Sequence, residues 1–308
     1  MILVVILYAI LASTFIFAKE AVSYAKPCFL IGFRMIIAGS LLWGSQFFLN
    51  RKTAMPKRED WFLFFKTTVF HIYLAFVLEF WSLQYVSALK TTIIYSATPF
   101  IAALLSYFLL KERLSFKKLL GVMIGIGGLM PTLLAQASGS ELSMELWRIS
   151  LPEGVLMIAV VSATYAWFLV SQLMKKGYSF GLINGIAMFM GGIMSLATSA
   201  VFEGFSSPIK DFWPFMMWVF LLIITANIVF YNMYSWLLQR YSITFLSFSG
   251  FLCPCFGTLY DWLFMGGTLA WQTFASLGLI TIGLYLFYQD ELRSNRAKKG
   301  SIKPIPFE

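Results

Sequence analysis

Several ionisable side chains lie within the long apolar runs of this chain, and four of them are Arg34, Glu79, Lys90 and Asp261. A charge inside a lipid bilayer is costly, so such residues usually bind a solute, line a passage or pair with one another. At 1.5 Å per helical residue, all four are predicted to lie in the outer half of the membrane. The sequence therefore predicts a polar vestibule that opens outward and holds a small charged molecule.

Polar and aromatic residues recur three or four positions apart beside these charges, which places them on shared helical faces. On one predicted helix Asn227 and Tyr231 form such a stripe, and Tyr95 lies on another. Aromatic rings can hold a cation or stack on a flat ring. The predicted substrate-binding residues are Arg34, Glu79, Trp81, Lys90, Tyr95, Asn227, Tyr231 and Asp261.

Each of these residues also has a structural interpretation. Glu79 could neutralise Arg34 or Lys90 as a buried ion pair. Asp261 could touch lipid headgroups, and Asn227 could join helices by hydrogen bonds. The only histidine, His71, is interpreted as a packing residue, because a proton relay normally needs several acids or histidines.

The elements that must position these residues are membrane-spanning helices. The chain of 308 residues is 59% hydrophobic and 12% charged, whereas soluble domains are nearer one half and one quarter. We predict an all-α polytopic membrane protein with ten transmembrane helices. The predicted spans are 2–18, 27–49, 61–83, 86–110, 119–134, 152–174, 182–202, 212–238, 243–264 and 269–288.

The net charge of +9 reflects the placement of Lys and Arg between the apolar runs. Sixteen of the 23 basic residues follow even-numbered spans or lie in the tail, and four lie in the other connections. By the positive-inside rule, both termini are predicted to be cytoplasmic, in a multi-pass protein of the bacterial inner membrane. The lipid bilayer, not nucleic acid, is the partner that this charge pattern indicates.

An internal repeat is visible at an offset of 155 residues. This offset aligns Pro99 with Pro254 and Gly128 with Gly283. We predict two inverted five-helix repeats, a layout typical of secondary transporters. The repeats are assigned to residues 1–136 and 152–288, joined by a polar connector at 137–151 and followed by a basic, disordered tail at 289–308.

Other classes of function are disfavoured by what the chain contains. Three cysteines and one histidine predict no zinc or redox cluster, and no nucleotide-hydrolysing G-x-x-x-x-G-K-[S/T] motif occurs. We therefore predict no metal, no cofactor and no catalytic residues. A membrane enzyme would need an acid and a base within reach of each other. It remains a remote alternative, as does a purely structural scaffold.

The segment from Pro99 to Met130 resembles the signature of the EamA-type drug/metabolite transporter superfamily. It combines the proline, the turn Lys111–Leu114 and a glycine-rich helix, and Arg34 after Pro27 also fits. The second copy departs from this pattern, because Gly267 stands where Glu112 stands in the first. The resemblance implies alternating access around a midplane cavity between the repeats.

Within that superfamily the chain is similar in size and phenylalanine content to the S-adenosylmethionine/S-adenosylhomocysteine transporters of obligate intracellular bacteria. This resemblance implies uptake of S-adenosylmethionine in exchange for S-adenosylhomocysteine. Glu79 and Asp261 would then face the cationic end, Arg34 would hold the carboxylate, and Trp81, Tyr95 or Tyr231 would stack on adenine or contact the sulfonium. An exporter of amino acids or related metabolites is the alternative, and a homodimer is left open.

Overall fold

The computed structural model describes residues 2–49, 55–86, 88–111, 115–136, 150–204, 208–264, 266 and 271–300. The side chains of residues 49, 88–90, 132–136 and 291–300 lie outside this description. Within it, nine helices are long and apolar enough to cross a membrane, and a tenth helix of 21 residues joins them. The structure agrees with the all-α architecture that the apolar runs predict.

We number the ten long helices α1 to α10. Three of them are interrupted by π-helical turns, and two are divided into consecutive helical pieces. Their bounds are α1 Ile2–Tyr24, α2 Pro27–Leu49, α3 Arg58–Ser82, α4 Ala88–Tyr95 with Thr98–Leu110, α5 Phe116–Gln136, α6 Leu151–Lys175, α7 Phe180–Glu203, α8 Phe212–Leu237, α9 Ile243–Ser249 with Leu252–Phe264, and α10 Trp271–Gly300.

The breaks in α4 and α9 occur at equivalent places and follow from proline. Pro99 has no N–H for the carbonyl of Tyr95, which instead accepts a hydrogen bond from the Thr98 hydroxyl at 2.5 Å. In α9 Pro254 leaves the carbonyl of Gly250 free, and the N–H of Cys253 donates to it at 2.9 Å. The two prolines are 155 residues apart, so the repeat visible in the sequence is also a repeat of backbone shape.

The π-helical turns of α3 and α8 obey the same offset. The first covers Val69–Tyr73 and the second covers Ile223–Phe230. Adding 155 to the first turn gives 224–228, which lies inside the second. Turns of this kind are rare and often lie at functional sites. Here they place His71 and Asn227 in the interior of the bundle.

The helix contacts show that the two halves are inverted relative to each other. Helix α2 packs on α7, α4 on α9 and α5 on α10, while the contact of α3 with α6 is matched by that of α8 with α1. When five is added to each helix number, the first three pairs map onto themselves, and the α3–α6 pair maps onto the α8–α1 pair. An axis of pseudo-two-fold symmetry in the membrane plane produces this pattern.

Glycines allow α2 and α7 to approach closely, and they show that these helices are antiparallel. A Cβ added at Gly39 would lie 2.4 Å from the backbone nitrogen of Phe189. A Cβ added at Gly185 would lie 2.6 Å from the backbone nitrogen of Trp43. The residue number in α7 decreases as that in α2 increases along these contacts. The two helices are therefore antiparallel, as inverted repeats require.

Polar links join the two halves at both ends of the bundle. At the end where Lys and Arg gather, which we call the basic end, the Lys176 ammonium and the Tyr178 hydroxyl both donate to the Asp60 carboxylate. At the opposite end the Glu203 carboxylate accepts from the N–H groups of Cys28 and Phe29, at 2.7 and 3.1 Å. Glu203 thereby caps the start of α2 from the other repeat.

Two boundaries differ from the sequence prediction. Helix α1 continues to Tyr24 instead of ending at Ala18, because Lys19 and Glu20 favour helix and can extend it beyond the apolar run. Helix α10 continues to Gly300, so the prediction of a disordered tail from residue 289 is wrong for residues 289–300. This segment is rich in Glu, Arg, Lys and Ala, which extend an existing helix readily.

Candidate substrate site

The guanidinium of Arg34 lies among aromatic rings inside the bundle. Its central carbon is 5.0 Å from the ring centre of Phe76 and 5.8 Å from that of Phe80. Arg34 is almost fully buried, and its Nε has no hydrogen-bond partner among the described residues. The cation therefore keeps unused hydrogen-bonding capacity in the membrane interior.

Glu79 supplies the negative charge beside this cation. The hydroxyl of Tyr95 hydrogen-bonds to the Glu79 carboxylate, and the carboxylate and Arg34 are close enough to interact electrostatically. Tyr231 approaches the same charges from the second repeat. Glu79 and Tyr95 are only half-buried in the bundle. The structure thus brings together Arg34, Glu79, Tyr95 and Tyr231 of the predicted set.

An aromatic cluster lies next to these charges on the side of the basic end. We define it as His71, Trp167, Tyr231 and Tyr234. The His71 ring is 4.5 Å from Trp167 and 5.0 Å from Tyr231, both edge-on, and Trp167 stacks on Tyr234 at 3.9 Å. Tyr231 belongs to both groups, so it connects the charged residues to the aromatic cluster.

Buried amides surround the aromatic cluster. The Asn184 amide donates to Asn232 Oδ1 at 3.3 Å and to Ser235 Oγ at 3.2 Å, and its own Oδ1 accepts from no described group. The Asn227 amide nitrogen on α8 contacts the sulfur of Met35 on α2 at 3.0 Å and that of Met188 on α7 at 3.7 Å. The structure therefore gives Asn227 a helix-joining contact.

Trp81 and Asp261 lie apart from the other predicted site residues. Trp81 is 37% exposed and its ring contacts Tyr85, because a residue two positions from Glu79 projects from a different face of the helix. Asp261 is exposed near the end of α9. The side chain of Lys90 lies outside the described residues, so the predicted pairing with Glu79 is not described either.

The site also contains residues that the sequence reasoning missed. Phe76 and Phe80 carry a usable signal, since they are four positions apart and flank Glu79 on α3. Trp167 and Asn184 carry none, because each lies in a helix whose other faces are equally apolar. Their place in the site depends on how the second repeat packs against the first.

This arrangement can bind a molecule that carries both charges and a flat ring. Arg34 can hold a carboxylate, Glu79 can hold a cation, and the rings can stack. Within the described part of the chain, no group of three or more His, Cys, Asp or Glu side chains could hold a metal ion. The arrangement thus joins opposite charges and aromatic rings in the interior of the helix bundle.

The family of this chain follows from a match to a family model. The model of the EamA-like transporter family matches residues 1–134 and again residues 152–289. The chain belongs to this family. The two matches cover both halves of the fold, in keeping with a multi-pass membrane transporter that contains an internal repeat.

Two similar proteins have been named for their substrates. A protein of Chlamydia muridarum (strain MoPn / Nigg) is 33% identical over 285 residues, covering 92% of this chain and 89% of its own length. A protein of Chlamydia trachomatis serovar L2 is 33% identical over 286 residues, covering 92% and 86%. Both are named S-adenosylmethionine/S-adenosylhomocysteine transporter.

A solved crystal structure shares the fold. It covers 94% of this chain and 97% of its own, with a TM-score of 0.74 and 17% sequence identity. At this identity the similarity concerns the arrangement of the helices alone.

Proposed function

We propose that this protein carries S-adenosylmethionine across the bacterial inner membrane in exchange for S-adenosylhomocysteine. The observation that carries the proposal is the meeting of Arg34, Glu79 and Tyr95 from one repeat with Tyr231 from the other. The names of the two chlamydial relatives, at 33% identity over nearly the whole chain, support this choice of substrate.

The chemistry of the substrate matches the groups in the site. Both molecules carry an amino-acid end, whose carboxylate suits the unpartnered Nε–H of Arg34 and whose ammonium suits Glu79. S-adenosylmethionine adds a sulfonium cation, which the faces of Phe76, Phe80 or Tyr231 and the Glu79 carboxylate can stabilise. The adenine ring would lie toward the aromatic cluster. No covalent bond is made or broken, so the chain acts as a carrier and not as an enzyme.

The transport cycle follows from the repeats. The two halves, assigned to residues 1–136 and 152–288, would rock about the charged group so that it faces each side in turn. The Asp60 link at the basic end and the Glu203 cap at the opposite end both join the halves. Each would have to loosen when its own side opens.

The orientation is part of the proposal. The excess of Lys and Arg at the basic end places that end, and both termini, in the cytoplasm. Reporter fusions at Glu308 and in the 137–149 connector should report cytoplasm and exterior respectively. The reverse result would mean that the basic end faces the exterior and that the proposed orientation is wrong.

Transport can be tested with the purified protein in liposomes. Vesicles loaded with S-adenosylhomocysteine should take up labelled S-adenosylmethionine faster than empty vesicles or vesicles without protein. An Arg34→Ala preparation gives the matched control for leakage. Uptake that depends on internal amino acids and ignores S-adenosylhomocysteine would instead support an amino-acid exporter.

A further inference from the structure

Two buried polar atoms beside the aromatic cluster have no hydrogen-bond partner among the described residues. They are Nε2 of His71 and Oδ1 of Asn184, and both residues are almost completely buried. The two side chains are adjacent, yet these atoms do not form a well-aligned bond with each other. A buried polar group without a partner is costly, and a ligand is one way to supply the partner.

The orientation of the Asn184 amide is set by its other contacts. Its Nδ2 donates to both Asn232 and Ser235, which occupies both donor hydrogens. The remaining oxygen is then the acceptor that faces His71. The pair presents one acceptor and one ring nitrogen that can donate, flanked by the rings of Trp167 and Tyr231.

We infer that His71 and Asn184 read the hydrogen-bonding edge of the adenine ring, while Trp167 and Tyr231 stack against its faces. The 6-amino group would donate to Asn184 Oδ1, and a neighbouring ring nitrogen would accept from His71 Nε2–H. The adenine edge combines a donor with an acceptor, which matches the acceptor oxygen of Asn184 and the donor nitrogen of His71. This inference rests on the proposed function and specifies which part of the site recognises the base.

The position of this subsite fits the length of the substrate. His71 and Glu79 are eight residues apart on α3, or about 12 Å along the helix. That separation suits a nucleoside joined to an amino acid, with the base at His71 and the charged groups at Glu79. The rings of Trp167 and Tyr231 now lie 5.6 Å apart, so they must separate as the base enters.

The test compares S-adenosylhomocysteine with S-inosylhomocysteine as competitors of labelled S-adenosylmethionine uptake. The inosyl compound replaces the 6-amino donor by a carbonyl acceptor, which would face Asn184 Oδ1. The wild-type protein should bind the adenosyl compound at least about tenfold more tightly. Asn184→Leu should reduce this ratio to about threefold or less, mainly by weakening the adenosyl compound.

Two further variants make the result specific. His71→Phe keeps a ring against Trp167 and should also lower the ratio, which provides a second route if Asn184→Leu does not fold. Ser195→Ala removes a buried hydroxyl on α7 that has no partner in the described part of the chain. It lies about 16 Å from Asn184, so its loss should leave the ratio unchanged. Because the ratio is measured within one preparation, a change in expression does not alter it.

The possible outcomes separate the two proposals. If the wild-type protein transports no S-adenosylmethionine, the proposed function fails and this inference fails with it. If the wild-type protein transports it but shows no preference for the adenosyl compound, only the base-reading role is overturned. The same holds if the preference survives in both Asn184→Leu and His71→Phe.

Discussion

The two repeats share a backbone but differ in the side chains they bring to the centre. The π-helical turns of α3 and α8 and the breaks of α4 and α9 recur at an offset of 155 residues. At the same offset Arg34 corresponds to Phe189, and Glu79 corresponds to Tyr234. The first repeat therefore supplies the charges. Of the corresponding residues in the second repeat, Tyr234 belongs to the aromatic cluster and Phe189 packs on Trp43.

This difference shows which features the fold needs and which the substrate needs. Turns and breaks that recur in both halves would give each half the same hinge geometry, as alternating access requires. The charges need not recur, since the substrate itself is asymmetric, with a charged amino-acid end and a flat base. We therefore expect substitutions of Arg34 and Glu79 in the first repeat to affect charge recognition, and those of Trp167 and Asn184 in the second to affect recognition of the ring.

The largest effect should come from Arg34→Ala. Removing a buried guanidinium leaves Glu79 without its cation and the substrate carboxylate without a donor, so uptake should fall about 100-fold or more. Phe189→Leu, at the corresponding place in the second repeat, should change uptake by less than about threefold. The measurement is the initial rate of labelled S-adenosylmethionine uptake per amount of protein. Comparable losses in both variants would remove the contrast between the repeats.

Glu79→Gln should distinguish the two substrates. In the proposed site the carboxylate would face a sulfonium in S-adenosylmethionine and a neutral sulfur in S-adenosylhomocysteine, so binding of the former should weaken about tenfold more. Tyr234→Phe keeps the ring that stacks on Trp167 and should weaken both substrates equally, if at all. Competition curves for both compounds give the comparison. An equal loss for both substrates in Glu79→Gln would mean that this carboxylate does not contact the sulfonium.

Gly39→Ala should lower stability with no direct contact to the substrate. The new methyl would meet the backbone of Phe189, which cannot move aside as a side chain can. Such overpacking typically costs about 1–3 kcal/mol, which should lower the melting temperature by several degrees. Gly44→Ala on the same helix is the control, because a Cβ there meets nothing within 4 Å. Thermal unfolding in detergent is the readout, and equal melting temperatures would contradict this packing.

The smallest effect should come from Asp60→Asn at the basic end. The Lys176 ammonium is half-exposed, so its ion pair with Asp60 should add little to stability. The Asp60 carboxylate raises the pKa of Lys176 above its ordinary value. The pair's contribution is therefore present at neutral pH and is lost only as the pH rises past that raised pKa. The difference in melting temperature between wild type and variant should be small, constant near neutrality and absent at high pH.

Much of the fold could be predicted because lipid imposes simple rules. Apolar runs long enough to cross a bilayer predicted the helices. The 155-residue offset between Pro99 and Pro254 predicted the repeat that the breaks in α4 and α9 follow. Arg34 and Glu79 could be found because charges within such runs are rare. The family resemblance rested on the segment from Pro99 to Met130 and on Arg34, and the choice of substrate rested on chain size and phenylalanine content.

The rest of the site could not be predicted because it depends on contacts between the repeats. Trp167 and Asn184 lie in helices that are apolar on most faces, so no pattern within one helix indicates their orientation. Trp81 was included for its aromatic ring, but two positions along a helix from Glu79 the side chain points elsewhere. The continuation of α10 to Gly300 depends on the helix propensity of its residues, whereas the prediction was based on their charge and indicated a disordered tail.

The Glu203 cap has a consequence for how the protein is made. The first N–H groups of α2 are satisfied by a carboxylate that enters the membrane 175 residues later in synthesis. Until then the leading turn of α2 has to find water or headgroups as temporary acceptors. In an isolated N-terminal half, the first N–H groups of α2 should therefore lack their cap. Co-expressing that half with residues 137–308 should restore the cap from Glu203.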